Sequence, residues 1–315
     1  MPKNTLPGAL TAMNPNKLRI LVTGGKGFVG TETIKRLTEE GHYVQSFDIM
    51  DGFDVRDIDL LERTVATAYD NGNGQPGYWL NFDRIIHLAA IARFSDADAD
   101  PQLAFETNVL GTMNVAAVAD KYHIPVVYSS TGSVYMPIQD FSGTIKEDWP
   151  AKGNSVYGCT KYAGETYIRQ VSPHIILRYA HLYGKEKRNH GLIGGFLARI
   201  ERGLAPTLYG GKQSNDFTYI KDVAEANYLA VTAPWDKWNQ TYNIGTGEEL
   251  TAAEAGKIVC EVSGYTGEIE IKEQRTVDPE RFWFDCSKAK RLLGFEAKYK
   301  FRAGLEDMFK EDKTV

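Results

Sequence analysis

The segment "LVTGGKGFVG" at positions 21–30 constrains this chain more than any other stretch. It completes the run "KLRILVTG", whose β-branched and leucine residues have the pattern of a buried parallel strand. In "FVGTETIKRLTEEGHYV", Val29, Thr33, Ile34 and Leu37 recur at helical spacing and Gly41 marks the helix end. "YVQSFDI" then reads as a second strand that delivers Asp48. Strand, glycine turn, helix, strand and acid together form a dinucleotide cradle. Gly24 permits the tight turn, Gly27 lets backbone N–H groups approach a pyrophosphate, and Gly30 allows helix to pack on strand. Asp48 is placed to accept hydrogen bonds from ribose hydroxyls and to repel a 2′-phosphate, which favours NAD over NADP.

The alternation continues along the chain. "DRIIHLAA" is a strand, "FETNVLGTMNVAAVADKY" a helix, "PVVYSST" a strand, "SVYGCTKYAGETYIRQV" a helix and "IILRYA" a further strand. This order predicts an α/β fold with a Rossmann-type doubly wound parallel sheet. The chain's 315 residues suffice for one large domain or two modest ones.

Composition removes several classes of function. A net charge of −5 gives no electrostatic footprint for nucleic acid. No apolar run approaches the roughly 20 residues that span a bilayer, so no membrane partner is expected. Residues 1–17 lack a signal-peptide core and read as a flexible extension. Three cysteines, Cys159, Cys260 and Cys286, are widely spaced and read as reduced thiols of a cytoplasmic protein. The six histidines form no metal-ligand pair, and no metal is expected.

Chemistry enters at Tyr157 and Lys161, whose Y-x-x-x-K spacing puts both on one helix face. A tyrosine ordinarily ionises near ~10. A neighbouring ammonium, with the positive charge of an oxidised nicotinamide, favours its phenolate and makes it a usable base. "YSSTGSVY" supplies hydroxyls at Ser129, Ser130, Thr131 and Ser133 at a strand end, where ligands of open parallel sheets bind.

These motifs resemble those of the extended short-chain dehydrogenases/reductases in the NAD-dependent epimerase/dehydratase family. "TGGKGFVG", "DVRD", "HLAA", "SSTGSVY", the Tyr157–Lys161 pair, "LRYAHLYG", "NDFTYIKDVAEA", "YNIGTGEELT" and "RTVDPERFWFDCSKAKRLLGF" carry the resemblance from about Leu18 to Lys310. It implies a catalytic trio of Thr131, Tyr157 and Lys161. It implies NAD contacts from Gly24, Gly27, Phe28, Val29, Gly30, Asp48, Ile49, Asp54, Val55, Leu88, Ala89, Ala90, Asn108, Ser129, Tyr157, Lys161 and Tyr179. The implied substrate contacts are Thr131, Ser133, Tyr157, His181, Asn215 and Arg275. The resemblance further implies a dinucleotide-binding lobe over 18–181 and about 207–247, with a smaller substrate lobe over about 182–206 and 248–315. Pairing into a homodimer through a four-helix bundle also follows from it, using the helices at 105–122 and 155–171.

The reaction is read from one short segment. Family dehydratases and decarboxylases carry carboxylates just after the catalytic threonine, where this chain has Gly132 and Ser133. The most concrete reaction the resemblance implies is then 4-epimerisation of a nucleotide sugar, most simply a UDP-sugar, through a transient 4-keto intermediate. Two departures concern the substrate. Asn215 stands where the family has a diphosphate-binding arginine, and His181 stands where it often has asparagine. Arg275 is then the expected diphosphate ligand, with Arg281, Arg188, Lys185 or Lys187 as substitutes. The alternative is an NAD-dependent dehydrogenase of a free sugar or sugar acid, which needs no diphosphate arginine. A binding protein on a degenerate dehydrogenase fold is disfavoured by the intact Thr131, Tyr157 and Lys161.

Overall fold

Six short aliphatic runs build the central sheet in the computed structural model, which describes residues 14, 16–70, 76–135, 144–153, 155–185, 191–273 and 281–312. They are β1 (Arg19–Thr23), β2 (Tyr43–Phe47), β3 (Arg84–His87), β4 (Val126–Thr131), β5 (His174–Tyr179) and β6 (Gln240–Ile244). All neighbours are parallel, in the order β6-β5-β4-β3-β1-β2. Every residue of β4 and β5 is buried, as expected of strands covered on both faces. The Rossmann-type reading of the sequence holds, and the small-residue turns fall where the strands end.

The direction of winding reverses at β1, which pairs β2 on one side and β3 on the other. A crevice forms at such a switch point, outside the carboxyl ends of the strands. The glycine turn leaves β1 there, and Leu88 to Ala90 leave β3 beside it. The first helix, Phe28–Glu39, buries Gly30, Thr33 and Leu37 against the sheet, and the chain turns back at Gly41 with φ +79°. Its Arg36 reaches Glu225 on the Ile220–Val231 helix at 2.6 Å.

The helix expected over 105–122 is interrupted. Pro101–Phe105 runs into a π-helical turn at Glu106–Leu110 before Gly111–Lys121 resumes α geometry. The reason lies at Asn108, in that turn. Its Oδ1 accepts the Ile91 N–H at 2.8 Å, and its Nδ2 donates to the Ile91 carbonyl at 3.1 Å and to Thr160 Oγ1 at 3.0 Å. Such π turns concentrate where a helix must aim a side chain at a functional site. Between Val65 and Asn81 the chain forms an antiparallel ribbon, Ala66–Asp70 with Pro76–Leu80, to which the sequence reading assigned no element.

Beyond β5 the chain makes short strand pairs. His181–Tyr183 lies parallel to Phe217–Tyr219, Thr207–Tyr209 parallel to Glu270–Lys272, and Ser214–Asn215 antiparallel to Leu250–Thr251. The helix Ala252–Ser263 opens on a capping box between Thr251 and Glu254 and closes at Gly264 in the left-handed region. One apolar cluster runs from Ile20 and Leu177 in the sheet to Phe196, Phe217, Val259 and Leu305. The later segments are therefore packed onto the sheet as a continuous core.

Candidate active site

The glycine turn is shaped by what surrounds it. Gly24 has φ +68°, and a Cβ there would lie 2.7 Å from Ala89 N; one on Gly30 would lie 2.2 Å from the Gly24 carbonyl. Neither position admits a side chain. Gly27 caps the Phe28–Glu39 helix without a side-chain hydrogen bond. The first N–H groups of that helix therefore face a cradle free of any capping side chain, a suitable anion site. Asp48 is buried beside it and accepts N–H bonds from Lys26 and Met50, each at 2.9 Å. The Lys26 ammonium pairs with Asp51.

Deeper in the crevice, hydrogen bonds fix the direction of a buried imidazole. Thr23 Oγ1 accepts the Leu88 and Ala89 N–H groups at 3.2 and 3.3 Å, so its proton points to His87 Nδ1 at 2.7 Å. His87 Nε2 then donates to Thr112 Oγ1 at 2.9 Å, which donates onward to the Asn108 carbonyl at 2.7 Å. Burial and the nearby Lys161 push His87 down to about 3, so it stays neutral. Val55 is buried against Gly111, and Asp54 is held by Arg56 at 2.7 Å, which lowers its carboxyl below the ordinary range. Phe28, Val29, Leu88, Ala89 and Ala90 are half-buried, whereas Ile49 stands at the surface.

Thr131 ends β4, and the helix Val156–Ile168, capped by Ser155 on Gly158 N–H at 3.1 Å, brings Tyr157 and Lys161 beside it. All four hydroxyls in this segment have partners. Ser129 donates to the His87 carbonyl at 3.1 Å, Ser130 donates to Glu165 at 2.5 Å, and Ser133 accepts from Thr131 at 3.2 Å. Tyr157 is half-buried with its ring against the edge of Phe94. Burial pushes its phenol up to about 12, with the Thr131 hydroxyl holding back part of the rise. Lys161 is buried with its ammonium 4.2 Å from the centre of the Tyr128 ring. Burial brings it down to about 7, against the pull of Glu165. Without ligand, desolvation thus favours the neutral phenol, and the phenolate expected from the sequence also requires the charge of the oxidised nicotinamide.

The residues expected to meet substrate are more dispersed. Ser133 lies with Thr131, while His181 is exposed and packs its ring edge on Phe217. Asn215 is half-buried on its two-residue strand. Arg281 forms a two-pronged pair with Glu249, at 2.7 and 2.6 Å, and lies over the Trp283 ring. Glu249 also accepts from Ser214, next to Asn215, at 2.5 Å. Arg275, Lys187 and Arg188 lie outside the described residues. The Tyr179 hydroxyl donates to Asn227 at 2.8 Å. Sequence reasoning missed Phe282 and Phe284: a Cβ on Gly132 would lie 2.2 Å from Phe282 Cζ and 2.9 Å from Phe284 Cζ. No local signal links those rings to Gly132. Glu165 was missed too, although it repeats the Tyr157–Lys161 spacing one turn on.

The parallel sheet, its switch point and the glycine turn define a Rossmann-type α/β protein. The chain belongs to the NAD dependent epimerase/dehydratase family, whose sequence profile matches residues 20–245. It is 30% identical over 304 residues to a provisionally named UDP-glucose 4-epimerase of Methanocaldococcus jannaschii, covering 91% of this chain and 96% of that one. It is similar in structure to the Thermotoga maritima UDP-glucose 4-epimerase solved with UDP-glucose (TM-score 0.82, 27% identity, 94% of this chain and 99% of that one). The Thermus thermophilus UDP-glucose 4-epimerase solved with NAD is similar as well (TM-score 0.79, 28% identity, 94% and 99% covered).

Proposed function

We propose that this protein is an NAD-dependent UDP-sugar 4-epimerase working through a transient 4-keto sugar. The observation that carries the reading is the meeting of Thr131, Tyr157 and Lys161 at the end of β4, beside the glycine turn, with Gly132 closed over by Phe282 and Phe284. A side chain at position 132 would have to shift those rings, and neither position 132 nor 133 carries the carboxylate an elimination would use. The residues present fit NAD. Gly24, Gly27 and Gly30 leave the pyrophosphate a cradle that any Cβ at Gly24 or Gly30 would fill, and Asp48 is placed to receive the ribose. The cation beside Asp48, Lys26, is already paired with Asp51, which leaves less charge for a 2′-phosphate. Lys161 would hold the nicotinamide ribose, with Val55, Leu88, Ala89 and Asn108 shaping the walls.

When bound, NAD supplies a reversible hydride acceptor, so the reaction has no net redox change. Tyr157 takes the proton of the C4 hydroxyl and returns it to the oxygen of the inverted product. Thr131 holds that oxygen throughout. Burial sets Tyr157 near 12, so its service as base depends on positive charge arriving with the cofactor and on a protonated Lys161.

The lobes at 18–181 with about 207–247, and at about 182–206 with 248–315, divide this work between cofactor and sugar. A homodimer through a four-helix bundle accounts for exposed Phe105 and Leu110 on one packed helix and Tyr167 on its neighbour. Three cysteines without disulfides suit a cytoplasmic protein. Incubation with UDP-glucose, UDP-N-acetylglucosamine and UDP-glucuronate, followed by chromatography of the sugars, tests the reading. A 4-epimer is expected with no rise in reduced-nicotinamide absorbance. Stoichiometric NADH from a free sugar or sugar acid would replace it with the dehydrogenase reading.

A further inference from the structure

Beneath the proposed catalytic trio lies a charged cluster that the reaction above leaves without a task. Glu165 follows Lys161 by one helical turn, and its side chain is completely buried. Its carboxylate accepts from Ser130 Oγ at 2.5 Å, Arg178 Nε at 2.9 Å, Arg178 Nη2 at 2.8 Å and Arg169 Nη2 at 2.8 Å. These donors come from different elements. Ser130 immediately precedes Thr131 on β4, Arg178 is in register with Ser130 on β5, and Arg169 ends the same helix. Glu165 therefore clamps the helix bearing Tyr157 and Lys161 to the strand bearing Thr131, at the residue next to Thr131. Burying a carboxylate with the Arg178 guanidinium carries a desolvation cost that an apolar contact would avoid. An apolar contact would hold helix to sheet equally well but would fix neither their register nor their local charge.

We infer that Glu165 is a positioning residue for the reaction, acting through Ser130 on Thr131 and through its helix on Tyr157 and Lys161. The inference rests on the proposed roles of those three residues. Its second action is electrostatic. Lys161 faces Glu165 and Tyr157 on its own helix, the Tyr128 ring on β4 and neutral His87 on β3, with Arg178 and Arg169 on the far side of Glu165. Among these Glu165 is the group that raises Lys161 against burial. Without its carboxylate the buried Arg178 guanidinium stands uncompensated, and Lys161 loses its proton at lower pH.

The test uses the full chain loaded with NAD, assayed for 4-epimerisation of UDP-glucose. Glu165→Gln is expected to lower kcat by about 10- to 100-fold, the scale of a misplacement near 1 Å, with KM unchanged. It should also move the alkaline limb of the kcat profile to lower pH, because the active form needs the Lys161 ammonium. Ser130→Ala keeps the ion pairs and breaks only the link to the strand. It should lower kcat less than Glu165→Gln does, by about 2- to 10-fold, because the ion pairs still hold the helix, and leave the alkaline limb in place. Glu165→Asp should restore the limb more fully than it restores kcat. A folded, NAD-loaded Glu165→Gln with kcat within twofold of wild type and an unmoved limb overturns the inference. Should that variant fail to fold, an unaltered kcat in Ser130→Ala overturns it instead. Tyr157→Phe runs alongside: full activity there would sink the catalytic reading itself, whereas loss of activity there with an inert Glu165→Gln sinks only the clamp.

Discussion

At the β1–β3 switch point the site is made by the backbone, whereas around Asn215 and Arg281 it is made by side chains. At the first, Gly24 and Gly30 exclude any Cβ, Asp48 is fixed by two N–H groups, and His87 is locked between two threonines. At the second, strands are two or three residues long, Arg281 is half-exposed and shared with Glu249, and His181 stands at the surface. A backbone-built site tolerates almost no substitution, because its geometry is the fold's own. A side-chain-built site can be re-cut one residue at a time, and it is here that the sequence reading expects departures from the family pattern, at Asn215 and His181.

The largest expected effect joins the two regions. Tyr157→Phe removes only the ionisable oxygen, so NAD binding should persist while turnover falls by about 10²- to 10⁴-fold, measured as epimerisation rate and bound cofactor. Turnover within tenfold of wild type would assign the base elsewhere.

On the backbone-built side, Asp48→Ala removes a charged acceptor, so the NAD dissociation constant should rise by about 10- to 150-fold. NADP should change less, narrowing the preference. Equal binding of both by the wild-type protein, measured by titration, would break the assignment of NAD to this side.

On the side-chain-built side, Arg275→Ala should raise KM for a UDP-sugar by about 10- to 100-fold, the loss of one charge-assisted hydrogen bond. Asn215→Arg should lower KM or leave it unchanged. If Arg275→Ala leaves KM unaltered, the next variant is Arg281→Ala, whose guanidinium is held beside Asn215 by Glu249. An unaltered KM in both would remove diphosphate recognition from this side.

The last effect concerns stability and leaves turnover at neutral pH out of account. His87 titrates near 3 in the folded protein against an ordinary 6.5, so unfolded chains bind its proton first as acid is added. Its contribution is fully present above about 6.5 and is lost as pH falls toward 3. Urea midpoints should decline across that window, and His87→Gln should flatten the decline. An identical slope in the variant would show that the switch point does not depend on a neutral imidazole.

Much of the molecule was legible before any coordinates. The glycine turn, the alternating strands and helices, and the Tyr157–Lys161 face follow from periods of two and 3.6 residues and from conformations only glycine adopts. The π turn at Asn108 was not legible, because it answers to Ile91 and Thr160 rather than to its own neighbours.

The sequence by itself determined five of the six sheet strands, the glycine turn and the helix that carries Tyr157 and Lys161, since local spacing and backbone sterics suffice for each. The sixth strand, Gln240–Ile244, and the strand order came from the tertiary structure. The resemblance had already singled out Thr131 among the hydroxyls of "SSTGS", but only the tertiary structure decided how each of them is partnered. Sheet register gives Ser130 to Glu165 and Ser129 to the His87 carbonyl, and it leaves Thr131 beside Tyr157. It also decided that Phe282 and Phe284 close over Gly132 and that Arg281 is shared with Glu249. Those contacts join residues far apart in the chain, and their distances depend on how whole strands and helices settle against one another, which no local pattern encodes.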